Sequence, residues 1–184
     1  MSRTGVDSLD RSIDKTNAWL ADVATNFGTE DRRLAYRVTR SWLHTLRDRL
    51  PVPIAAHIAA QLPELLRGVF YEGWNPSKVP IKYGKDEYIA RFAKDAQIHQ
   101  TEVPRAGRLV TSAFGKHLSA GAMNEALGAL PADIRRLVAA PDGAGAETAA
   151  TAETEAARAA SGPGGDRASG PGGDRAGGRP GGPQ

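Results

Sequence analysis

Apolar residues recur along this chain at spacings of three and four, in segments that end at glycine or proline. That period predicts a succession of amphipathic helices. From Asp7 to Phe27 the apolar positions are Leu9, Ile13, Leu20, Val23, Ala24 and Phe27, with Trp19 beside the stripe. Gly28 stops this first helix, because glycine takes the left-handed backbone just past a helix end. Thr29, Glu30 and Asp31 then read as a helix start: a hydroxyl to cap free N–H groups, and carboxylates near the positive end of the dipole.

The second helix runs to about Leu50. At 100° per residue, Ala35, Val38, Trp42, Leu43, Leu46 and Leu50 share one face, and Arg33, Arg37, Arg40, His44 and Arg47 cluster on the opposite one. The basic stripe has two readings: a solvated helix face, or a docking surface for an acidic partner or a phosphate backbone. Pro51 and Pro53 open a third helix, IAAHIAAQL, whose alanines suit a close inner approach. Pro63 opens a fourth by the same device, with Leu65, Leu66, Val69 and Phe70 toward the core and Gly73 at its end.

Residues 75–84 form an irregular linker, held extended by Pro76 and Pro80. Around it Tyr71, Trp74 and Tyr83 stand beside Lys78, Lys82 and Lys85. Aromatics interleaved with lysines suit base stacking or peptide binding. The competing expectation is that Trp74 plugs the linker back onto the first half, since large aromatics dominate core burial.

Four more helices follow. The fifth buries Tyr88, Ile89, Phe92 and Ala96, and the sixth starts at Thr101 and Glu102 and carries Leu109, Val110, Ala113, Phe114 and Leu118. Gly107 and Gly115 weaken it. Ser119 caps the seventh, with Met123, Leu127 and Leu130 inward, and Pro131 starts the eighth, with Ile134, Leu137 and Val138 as its apolar side. The phrase LPELLRGVF from Leu62 returns as LPADIRRLV from Leu130. At that offset Leu46 meets Phe114, Leu50 meets Leu118, Leu66 meets Ile134 and Arg67 meets Arg135. Upstream, Thr29-Glu30 pairs with Thr101-Glu102 after a shift of about one helical turn, which keeps the buried face. The expected fold is therefore all-α: a duplicated helical domain over residues 1–140, in similar four-helix halves at about 7–74 and 85–140.

Residues 141–184 are a different material. SGPGGDRA occurs in tandem from Ser161 and Ser169, followed by GGRPGGPQ. Such a segment lacks the side chains to offset its ordering entropy, so it is expected to be a disordered, low-complexity tail. The chain has 184 residues, no cysteine and a net charge of +3. Disulfides and thiolate metal sites are thereby excluded. Through residue 140 there are 20 Lys and Arg against 15 Asp and Glu, a balance too weak to demand a nucleic acid. No apolar run is long enough to span a membrane, and the charged N-terminus does not resemble a signal peptide. Together these point to a cytoplasmic protein with no membrane partner.

Catalytic signatures are missing. There is no phosphate-cradling glycine loop before a helix, no HExxH and no GxSxG. His44, His57, His99 and His117 share no spacing, and the positions three and four residues from His57 are Pro53, Ile54, Ala60 and Gln61, none of which completes a metal pair. No cofactor, metal or catalytic residue is expected.

The Gly-Thr-Glu-Asp helix start at Gly28, LHTLRDRLP from Leu43, AAQLPELLRGVFYEGW from Ala59 and NPSKVP from Asn75 carry a resemblance. From Trp19 to Val138 the chain resembles the bacterial domain of unknown function 2267 family. The resemblance implies a helical fold of two similar halves and supplies no activity or catalytic residue to carry over. The expected function is a non-catalytic module for protein interaction or self-association. The alternative is a nucleic-acid-associated protein. Arg33, Arg37, Arg40, His44, Arg47, Tyr71, Trp74, Lys78 and Lys82 are the candidate interaction surface.

Overall fold

The computed structural model describes residues 3–140, and within them eight α-helices follow one another with no strand. They are α1 (Asp7–Phe27), α2 (Arg32–Arg49), α3 (Val52–Gln61), α4 (Glu64–Tyr71), α5 (Lys85–Ala96), α6 (Val103–Gly115), α7 (Ala120–Gly128) and α8 (Ala132–Val138). Short 3₁₀ turns at Pro76–Lys78 and Gln100–Glu102 precede α5 and α6. Residues 141–184, on which the expectation of disorder falls, lie outside the described residues.

The stop and start signals explain most boundaries. Gly28 sits at φ 67° and returns its N–H to the Ala24 and Thr25 carbonyls, closing α1. The cap of α2 is Asp31 rather than Thr29: its carboxylate accepts from the Arg33 and Leu34 amides, and those bonds hold its pKa below the usual carboxylate value. Ser119 caps α7 by accepting from the Ala122 amide. Pro63 and Pro131 each stand just before a helix, at φ −52° with ψ 147° and 144°, not within its first turn. His99 makes a capping box with Glu102 that the sequence reading missed.

The central element is α2. It contacts α1, α4, α5 and α6, and nine of its residues are buried. Trp42, Leu43 and Leu46 form the middle of the core with Phe70, Phe92 and Phe114. The Trp42 indole donates to Thr111 Oγ1 at 3.0 Å, so this buried N–H is satisfied across the α2–α6 contact. On α1 the buried face is Ser12, Thr16, Trp19, Val23 and Ala24, while Leu9 is left 46% exposed. Trp19, expected beside the stripe, is thus at its centre. Its indole meets Phe114 edge-on at 4.9 Å, a large contact that turns the helix toward α6.

Three other expectations are corrected. Leu65 is 48% exposed, because α4 presents only Leu66 and Phe70 fully to the core. The alanine-rich α3 is an outer helix: it packs against α7 and α4 and leaves Ala56, His57 and Ala60 exposed. Gly107 does more than weaken α6. A Cβ there would lie 2.9 Å from Val138 Cγ1, so glycine is what allows α8 to sit against α6. Among the described residues no helix is long and apolar enough to cross a membrane.

Candidate functional site

Beyond Arg33, the basic stripe of α2 is turned toward α5 and the end of α4. Arg40 stands between Glu72, at 3.0 Å, and Asp95, at 2.5 Å. The His44 ring lies 2.8 Å from the Val69 carbonyl through Nε2, which places the proton there, and its Nδ1 is 3.8 Å from Asp95. Burial is the main influence on His44 and pushes its pKa below the ordinary histidine value, with Arg47 and Arg40 adding to it. Arg37 donates to the Ala96 carbonyl at the end of α5. Arg47 is only 5% exposed, donates to the Phe70 carbonyl and pairs with Asp48 at 3.1 Å. Of the five stripe residues only Arg33 is exposed. The stripe as a continuous docking face is therefore corrected, and so is its reading as a solvated face. The reason is that its partners, Glu72 and Asp95, lie 32 and 55 residues away, where no helical spacing reveals them.

Around the linker, Tyr71 is half-buried between Phe70 and Trp74, with ring centroids 5.2 and 5.1 Å away. Trp74 is half-buried as well, as the plug reading expected, and its indole nitrogen is buried without a hydrogen-bond partner. Tyr83 is 5% exposed and donates to the Thr45 carbonyl. Lys78 and Lys82 are exposed. Of the nine candidate residues Arg47 is buried, and Arg33, Lys78 and Lys82 are the exposed ones.

A concave feature lies elsewhere. A cleft of about 640 Å³ opens between α1 and the elbow that joins α3 to α4. Its α1 wall carries Ser8, Arg11, Ser12, Lys15, Ala18 and Trp19, at helical spacings of three and four. Opposite lie Ala60, Gln61, Leu62, Pro63, Glu64 and Arg67, with His117 closing one end. Leu62 and Pro63 are extended, which breaks the helix after Gln61 and costs its last carbonyls their i+4 N–H partners, although the Ala59 carbonyl still accepts from the Leu62 amide at 3.2 Å. Arg67 caps them, donating to the Ala59, Ala60 and Leu62 carbonyls at 2.8, 3.2 and 3.1 Å. Ser12 Oγ accepts from the Leu65 amide at 3.2 Å, tying α1 to the start of α4.

The closed end is equally fixed. His117 stacks on Trp19 at 4.5 Å with 14° between the planes, and its Nε2 lies 2.7 Å from Asp22. Gln61 accepts from the Ser119 amide at 2.8 Å. What is left uncommitted is the mouth. Arg11 and Lys15 are exposed and make no hydrogen bond or ion pair with any described residue. Two nearby acids of α1 are occupied elsewhere: Asp10 accepts from the Arg3 and Thr4 amides, and Asp14 pairs with Arg3; Glu64 stands exposed on the opposite wall. Sequence reasoning passed over this site. The polar face of α1 is legible, but the elbow it meets lies more than 40 residues further on.

His57 pairs with Glu125 and His117 with Asp22, yet neither pair addresses a nucleophile. Among the described residues no group of three or more His, Cys, Asp or Glu is placed to hold a metal ion.

A family model described as an uncharacterized conserved protein, DUF2267, matches residues 16–137, about two-thirds of the chain. The match spans α2 through α7 and most of α1 and α8, and begins after Arg11 and Lys15. No curated protein matches.

Proposed function

Because this chain belongs to the DUF2267 family of uncharacterized conserved proteins, whose description carries no activity, we propose from the geometry that it is a non-catalytic module that docks a protein partner in the α1–elbow cleft. One observation carries the reading. The cleft couples a rigid, internally bonded floor to two uncommitted cations at its mouth. The elbow carbonyls and the Ser12, Gln61 and His117 side chains have partners within the fold, whereas Arg11 and Lys15 are exposed beside Ala18 and Ala60 and have none among the described residues. A preformed surface loses little freedom when a partner docks, which favours affinity. The nucleic-acid alternative drew on the α2 stripe and the Lys/aromatic linker; Arg40 and Arg47 of the stripe are held by Glu72, Asp95 and the Phe70 carbonyl, while Lys78 and Lys82 of the linker are exposed.

A photo-crosslinking side chain in place of Ala18, in the full chain within its native cells, tests the reading. Asn124, exposed on α7, serves as the control position. The expected result is a protein adduct from position 18 and none from position 124. Filling the cleft with Ala60→Trp, at an exposed position, should abolish it. An adduct that survives Ala60→Trp, or one formed with nucleic acid, rejects the proposal. An adduct at twice the mass of the chain assigns the cleft to self-association.

A further inference from the structure

We infer that the cleft holds an extended acidic peptide of the partner, in which two carboxylates stand two residues apart and an apolar side chain follows two residues later. This rests on the cleft being the working surface. The spacing follows from α1. Arg11 and Lys15 are four residues apart on one wall, so their Cα atoms are separated by about 6 Å along the helix axis. In an extended strand, residues i and i+2 point to the same side and are about 6.5 Å apart. An extended segment lying along α1 thus presents every second side chain to successive turns. If one carboxylate meets Arg11, the next matching position meets Lys15. The one after that reaches the turn of Ala18 and Trp19, where the opposite wall supplies Ala60 and Leu62.

Charge complementarity selects the chemistry. The mouth carries Arg11 and Lys15, with Arg67 deeper, against Glu64 alone among the cleft's acids. Peptide carboxylates fit this balance better than a polynucleotide does, since single-strand binding pairs a cationic track with exposed aromatic platforms. Trp19 is no such platform. It is 6% exposed, with one face under His117 and its contact with Phe114 edge-on.

Fluorescence polarisation with the full chain tests this. The probes are a labelled Gly-Glu-Ala-Glu-Ala-Leu-Gly peptide, its Gly-Glu-Glu-Ala-Ala-Leu-Gly isomer and a short oligothymidylate. The alternating peptide should bind several-fold tighter than its isomer and tighter than the oligothymidylate. Arg11→Glu with Lys15→Glu should weaken it about tenfold, the scale of two partly exposed ion pairs lost and reversed. Both residues are exposed, so circular dichroism of the double variant should match wild type. Equal binding of the two isomers, tighter binding of the oligothymidylate, or no effect of the reversal overturns the inference. The crosslinking readout separates the two failures. A position-18 adduct that Ala60→Trp removes but charge reversal leaves intact sinks the acidic peptide and spares the docking surface. An adduct that Ala60→Trp leaves intact sinks both.

Discussion

His44 shows how one residue joins two parts of the fold. Its ring is held between the Val69 carbonyl and Asp95, with Arg40 and Arg47 on its own helix and Glu72 at 3.9 Å on the approach from α4. Burial favours the neutral form, so its folded pKa lies below its unfolded value of about 6.5. A depressed histidine contributes stability that is present above the unfolded pKa and lost as pH falls through the folded one. Denaturant unfolding of wild type should therefore weaken progressively below about pH 6.5. His44→Gln, whose amide can still donate to Val69, should lose less over the same window. The other three histidines are common to both proteins, so the difference isolates His44. Equal losses in the two proteins would refute the assignment.

At the scale of elements, the two Leu-Pro elbows do the same job in sequence positions far apart. Leu62 and Leu130 are 2% and 4% exposed, and each follows the end of one short helix and precedes the proline before another. The carbonyl of each proline then accepts from the residue four later, Arg67 or Arg135, at 2.8 Å. Proline suits the position because its missing N–H would have no helical partner. The leucine, by contrast, anchors the bend to the core. Leu62→Ala and Leu130→Ala should each cost about 2–5 kcal/mol in equilibrium unfolding. Losses below about 0.5 kcal/mol at both sites, the range of surface substitutions, would mean that the elbows are not held by these side chains.

Across the described domain, the helices do not pack as consecutive bundles. α1 lies against α6 as well as α2, and α5 makes its largest contact with α2. The first helix of each predicted half thus covers the second helix of the other. The sequence offset that aligns the elbows also places His57 at the register of Glu125, and these side chains meet at 2.8 Å where α3 packs on α7. A fragment ending in the linker, residues 1–79, would leave the faces of α2 that receive α5 and α6 open to water. Such a fragment should show no cooperative thermal transition by circular dichroism, and mixing it with residues 80–184 should restore one. A monomeric fragment 1–79 that melts cooperatively on its own would contradict this interdependence.

The sequence by itself determined what depends on neighbours along the chain. Period, glycine stops and proline elbows set eight helices whose ends agree with the prediction to within a few residues, because capping and amphipathicity are local. The family was legible for the same reason, from contiguous motifs now matched over residues 16–137. Tertiary structure alone decided the rest. Arg40 and Arg47 read as a surface stripe until α4 and α5 supplied Glu72, Asp95 and the Phe70 carbonyl. Leu9 read as core and Trp19 as its edge until α6 and the turn after it brought Phe114 and His117 to the indole. Arg11 and Lys15 drew no reading from the sequence; the elbow opposite them is what places them on a cleft. Helical periodicity orders the faces of a helix relative to one another. Which face meets protein and which meets water is set by partners distant in sequence, and burial changes the meaning of a charge or an indole entirely.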